Sequence, residues 1–235
     1  MNLAGKKALI LGGTSGIGLA SAVQLKALGV DVIAIGRSEA NLKTAADAGL
    51  KTRQADVLDR AGLAALFQSL APFDILICAA TGGPRANGPF LKMDLDAYQA
   101  SFQKLWGYTN AVHLGAPHLT ADGAIVLVSG APARKPRVGS IALTSVGGAV
   151  EAFAKGIAAE LKPRRINVVS PGIVDTPMFA VSGDARRQFL QQATNNFHLP
   201  RPGIPDEIAS AVVLAATNPF MTGSIIDVDG GWVSP

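Results

Sequence analysis

Among 235 residues there is one cysteine, which excludes a disulfide framework and a cysteine-rich metal site. That residue, Cys78, falls inside an apolar run and reads as a small buried hydrophobe. Aromatics make up only 6% of the chain, with two tyrosines, so any chemistry that needs a phenol must draw on Tyr98 or Tyr108. The three histidines, His113, His118 and His198, show no ligand spacing with each other or with a carboxylate pair, and no metal is expected. Charged residues are sparse at 16%, and the net charge of +4 is scattered along the chain. The densest cluster, Arg134-Lys135-Pro136-Arg137, is too short to mark a nucleic-acid partner. It reads as a solvated loop, or as a loop that greets an anionic group beside a pocket. No apolar run reaches membrane-spanning length and no leader precedes the first strand, so the expectation is a soluble cytoplasmic protein without a membrane partner.

What the chain has in quantity is apolar sequence: 49% hydrophobic residues and a mean hydropathy of +0.30. This suits a sheet covered on both faces, whose strands read as unbroken apolar runs. Such runs occur at 6–11, 30–35, 74–79, 124–129, 165–170 and 224–228, and 51–55 reads as a short further strand. Between them, helical spacing predicts helices over 19–28, 39–48, 59–70, 94–118 (with Asp94 as N-cap), 140–161 and 206–216. Residues 81–89 and 130–139 are rich in glycine and proline and read as loops. Residues 173–204 show no regular period and read as a lid or binding loop. Alternating strands and helices predict one α/β domain over 1–235, a doubly wound parallel Rossmann-type sheet of about seven strands with helices on both faces.

The most informative stretch joins the first strand to the first helix: Gly12-Gly13-Thr14-Ser15-Gly16-Ile17-Gly18. A strand, a glycine-rich turn and a helix form a dinucleotide-binding arrangement. Gly12 permits the tight turn, Gly16 lets the backbone approach a pyrophosphate, and Gly18 lets helix and strand pack closely. The helix N-terminus attracts the phosphates.

With further motifs in order, the chain resembles the short-chain dehydrogenase/reductase (SDR) family along its whole length. The turn matches that family's T-G-x-x-x-G-x-G, with Leu11 in the Thr place. Asp56-Val57 matches the pair that meets the adenine. Asn167, Pro171-Gly172 and Asp175-Thr176-Pro177-Met178 match the segment beside the nicotinamide. Segments 201–209 and 222–231 resemble its C-terminal signatures. The resemblance implies cofactor contact at Gly12, Thr14, Ser15, Gly16, Ile17 and Gly18, at Asp56 and Val57, at Ala79 and Ala80 after the fourth strand, and at Pro171, Gly172, Ile173 and Thr176. It also implies a homodimer or homotetramer, which the small residues Ala142, Gly147, Gly148 and Ala149 would suit.

The family's catalytic set is Asn-Ser-Tyr-Lys, with Tyr and Lys spaced Y-x-x-x-K on a long helix, the Lys lowering the tyrosine pKa for proton transfer. Alignment through Phe153-Ala154-Lys155 puts Leu143 at the Tyr place, Gly147 at the Lys place and Gly130, beside Ser129, at the Ser place. Lys104 falls at the Asn place, and Cys78-Ala79-Ala80-Thr81 replaces Asn-Asn-Ala-Gly. The usual relay is therefore expected to be absent, with Lys104 the one weak catalytic candidate. Thr144 and Ser145 could offer hydroxyls, and His198 could face a substrate.

NAD-preferring members carry an acid at the end of the second strand, where this chain has Gly36 followed by Arg37 and Ser38. A guanidinium there suits a 2′-phosphate, so NADP(H) is favoured over NAD(H). Three functions remain open: an NADP(H)-linked oxidoreductase with a non-standard site and an unknown small-molecule substrate, an inactive NADP(H)-binding or sensing member that supports a partner, and a non-redox enzyme on the same fold.

Overall fold

The computed structural model describes residues 3–81, 83–179 and 181–234. Gly82 of the 81–89 loop, Ala180 of the 173–204 segment and the two ends of the expected 1–235 domain lie outside the described residues. The apolar runs form β1 (Lys7–Leu11), β2 (Asp31–Gly36), β4 (Phe73–Cys78), β5 (Leu119–Val128), β6 (Arg165–Pro171) and β7 (Ile225–Val228), with the polar β3 (Lys51–Gln54) at one edge. They pair in parallel as one seven-stranded sheet in the order β3-β2-β1-β4-β5-β6-β7.

The central strands are apolar along their inner stretches, Ala8–Leu11, Ile75–Cys78 and Ala124–Val128, because both faces are covered there. In β1, Leu9 and Leu11 share one buried layer with Phe67, Tyr108 and Val150. Ala8 and Ile10 share the opposite layer with Leu25, Ala45 and Val212. The first layer is supplied by α3 (Arg60–Leu70), α5 (Gln103–Gly115) and α6 (Ile141–Ile157), and the second by α1 (Gly16–Ala27), α2 (Glu39–Asp47) and α8 (Pro205–Thr217). The edge strand β3 reads Lys-Thr-Arg-Gln, and its charges discourage pairing with another chain.

Two elements differ from the sequence expectation. The helix predicted over 94–118 is two helices, α4 (Leu95–Ser101) and α5, separated at Phe102, where ψ relaxes to −8°. Asp94 does cap α4, accepting from the Asp96 amide at 2.9 Å. Residues 173–204 contain a helix, α7 (Gly183–Thr194), and a parallel bridge between Val174 and Gly203. The helix buries only Leu190 and Thr194, so no long apolar stripe announced it. Among the described residues no helix is long and apolar enough to cross a membrane.

Candidate active site

Strand order reverses between β1 and β4, and a cleft of about 640 Å³ opens at the carboxyl ends of the strands around that point. Its floor is the turn after β1. Gly12 has φ of +81°, a conformation glycine adopts freely, and a Cβ on Gly18 would collide with the Gly12 carbonyl. The N-cap of α1, Ser15, makes no side-chain cap bond, and the first turn holds no acid. Its amides and helix dipole are thus left for an anion entering the cleft.

Thr14, Ser15, Gly16, Ile17 and Gly18 line the cleft beside Gly12, as do Ala79, Ala80, Pro171, Gly172, Ile173 and Thr176. Thr176 Oγ1 is buried and has no hydrogen-bond partner among the described residues, a hydroxyl poised for a ligand group. At the β2 end, Arg37 and Ser38 line the wall, and the Ser38 hydroxyl accepts from the Asn41 amide to cap α2. Asp56 does not line the cleft. It lies 3.6 Å from Arg37 and accepts from the Leu58 amide at 2.9 Å, while its neighbour Val57 faces inward. The turn, the orphaned Thr176 hydroxyl and the cationic wall together fit a phosphate-bearing dinucleotide.

At the β5 end the cleft brings together Lys104, Ser129, Gly130, Leu143 and Gly147. Lys104 is 9% exposed, and its ammonium donates to the Ser129 carbonyl at 3.2 Å and lies 5.6 Å from the Tyr108 ring centre. Burial, and then the nearby charge of Arg85, lower its pKa to about 7. Neither tyrosine is placed as an acid. Tyr108 is buried with its hydroxyl donating to the Val128 carbonyl at 3.2 Å, and burial pushes its pKa well above 10. Tyr98 does not line the cleft and donates to Ser145 at 3.0 Å. Thr144 Oγ1 is buried without a partner among the described residues. His198 is exposed and away from the cleft wall.

The adjacent glycines of α6 play different parts. A Cβ on Gly147 would lie 3.1 Å from Ala133 Cβ, whereas Gly148 faces open space. Ser129 is not a free hydroxyl: it donates to buried Glu151 at 3.0 Å, and Arg134 Nε lies 3.7 Å from the other oxygen of that carboxylate. Arg134 also pairs with Asp227 and donates to Ser170 at 2.7 Å. Residues 134–137 are exposed, as the solvated-loop reading expects, yet the Arg134 side chain also ties β6, β7 and α6 together. In the same loop Arg137 stacks 4.2 Å above the Trp232 ring. Sequence reasoning also passed over Arg85, which lines the cleft from the loop after β4.

The family model for enoyl-(acyl carrier protein) reductase matches residues 12–233. The chain belongs to the short-chain dehydrogenase/reductase family. It is 30% identical to an acetoacetyl-CoA reductase of Shinella zoogloeoides, over 95% of this chain and 97% of that one. A solved SDR family protein is 32% identical and superposes with a TM-score of 0.87 over 100% of both chains. The NADPH-bound short-chain oxidoreductase of Pseudomonas aeruginosa PAO1, characterised as containing an atypical catalytic center, is 29% identical with a TM-score of 0.88, covering 100% of this chain and 99% of its own. Membership places this SDR among oxidoreductases that share its seven-stranded sheet.

Proposed function

We propose that this SDR is an NADP(H)-dependent oxidoreductase acting on a small carbonyl or alcohol substrate, with Lys104 in the role usually given to a tyrosine. The whole chain, 1–235, serves as one cofactor domain, and 173–204 forms the substrate lid. The dinucleotide runs from Arg37 and Ser38, past Val57 and the Gly12–Gly18 turn, to Pro171, Gly172, Ile173 and Thr176. Arg37 carries the preference for a 2′-phosphate, because a guanidinium can bond it through two N–H groups. When bound, the nicotinamide supplies or accepts the hydride.

The observation that supports this reading most is the buried ammonium of Lys104 on the cleft wall, lacking a carboxylate partner among the described residues. An acid with a pKa near 7 is half-protonated at neutral pH, the condition under which general acid catalysis works best. Lys104 would hand its proton to an oxygen that gains charge during reduction and recover one from water. Leu143, an apolar side chain on the same wall, favours a second reading in which the protein binds NADP(H) and does no chemistry.

Calorimetric titration with NADPH and NADH, followed by NADPH oxidation across a carbonyl panel, tests the proposal. Tight NADPH binding with turnover lost in Lys104→Met supports it. NADPH binding without any turnover supports the second reading, and absence of NADPH binding overturns both.

A further inference from the structure

The cleft contains an imbalance that the cofactor reading leaves unused. Four cationic side chains line it, Arg37, Arg85, Lys104 and Arg137, and among the described residues no aspartate or glutamate does. Arg37 stands at the end of β2, whereas Lys104 reaches the end of β5. Three strand spacings separate these ends, about 14 Å, so one anionic group cannot serve both. The 2′-phosphate assigned to Arg37 therefore leaves the β5 end uncompensated.

Arg85 is the side chain most in need of an anion there. Its guanidinium is half-buried, close enough to Lys104 to act on its charge, and forms no ion pair among the described residues. Its guanidinium donates to Met178 Sδ. A thioether is a weak acceptor and carries no charge, so it cannot offset the desolvation of a guanidinium. Beside it the wall turns apolar. Phe179 and Phe189 pack with ring centres 5.3 Å apart, and Leu143 lines the same cleft.

We infer that the substrate of this SDR is an oxo acid, whose carboxylate is paired by Arg85 and whose apolar remainder rests on Leu143, Phe179 and Phe189. The inference rests on the oxidoreductase reading above and names its substrate class. A planar carboxylate accepts two parallel N–H bonds from a guanidinium, which fixes its orientation as well as its position. In the reducing direction, hydride from NADPH forms the new C–H bond, the C=O π pair moves to oxygen, and the Lys104 ammonium protonates that oxygen. The products are a hydroxy acid, NADP⁺ and a neutral amine that regains its proton from water. Arg85 holds its charge throughout. Lys104 and Arg85 thus divide the work, one at the reacting oxygen and one at the anchor.

The test is calorimetric binding of 3-phenylpropanoate, hexanoate and octanoate, each against its primary amide, to the whole protein with and without NADP⁺. Arg85→Gln and Arg85→Lys are measured beside the unsubstituted chain, with NADPH affinity measured for all three. At least one carboxylate should bind tenfold or more tighter than its amide. Arg85→Gln should erase that difference, Arg85→Lys should keep part of it, and NADPH affinity should stay within threefold. No discrimination by a protein that binds NADPH overturns this inference alone. A parallel loss of NADPH affinity in Arg85→Gln also overturns it, by assigning Arg85 to the cofactor phosphates. Failure of the unsubstituted protein to bind NADPH overturns the oxidoreductase reading itself.

Discussion

The ammonium of Lys104 lies 3.2 Å from the carbonyl oxygen of Ser129, inside the protein and at the wall of the cleft. The Ser129 side chain points elsewhere, to Glu151. One residue thus offers its backbone to the lysine and its hydroxyl to the carboxylate, and the two charged side chains are held apart by it.

The buried lysine gives stability a pH signature. Its pKa of about 7 in the folded chain lies below the ordinary 10.5, so between those values the unfolded chain binds more protons. Stability should rise over that window and carry the full burial penalty below pH 7, where both states are charged. Lys104→Met removes the titrating group. Urea unfolding should show the variant more stable than the unsubstituted protein by on the order of 4–5 kcal/mol at pH 6, the gap narrowing to about 1 kcal/mol by pH 10. An equal gap at both ends would refute the assignment.

Arg134 should matter more to stability than a loop residue does. Arg134→Met leaves Glu151, only 7% exposed, without its nearby cation, and Asp227 unpaired. Unfolding should become easier by about 2–4 kcal/mol, since removing one partner of a buried charge strands the other. A loss within about 0.5 kcal/mol, as for ordinary surface sites, would contradict this bridging role of Arg134.

That loop shows where sequence reading ended. The strands were legible because burial on both faces leaves apolar runs at the inner ends of β1, β4 and β5, and the Gly12–Gly18 turn because its glycines are required by close contacts. The role of Arg134 was not, since its partners Glu151, Ser170 and Asp227 lie 17 to 93 residues away and leave no local pattern. Arg85 was hidden likewise in a glycine- and proline-rich loop without a period. The helix α7 was missed because it buries only Leu190 and Thr194, too few positions to set a helical period. Ala142 and Gly147, taken as small residues for a subunit contact, are buried within the chain itself, which leaves Gly148 and Ala149 to that argument.

Gly148 therefore decides what the open side of α6 does. With nothing within 4 Å, Gly148→Ala should stabilise an isolated chain by about 0.5–1 kcal/mol through helix propensity. If α6 packs on a second copy in a homodimer or homotetramer, Gly148→Leu should instead dissociate it. Light scattering of both variants beside the unsubstituted protein reads this out, and a monomer throughout would reject the oligomer.

Arg37 should hold most of the cofactor preference. Its pairing with Asp56 is partly exposed and long at 3.6 Å, so little is lost when it turns to a phosphate. NADPH should bind about ten- to a hundred-fold tighter than NADH, and Arg37→Ala should erase the difference. Equal affinities in the unsubstituted protein would contradict this.

The most direct test of a lysine acting as the acid is the pH dependence of kcat for NADPH-linked reduction, in the unsubstituted protein and in Lys104→Met. A protonated group with a pKa near 7 predicts that kcat falls as pH rises through about 7. The variant should lose at least a hundred-fold in kcat while binding NADPH within a few-fold. Turnover that survives in Lys104→Met with an unchanged pH profile would contradict the account.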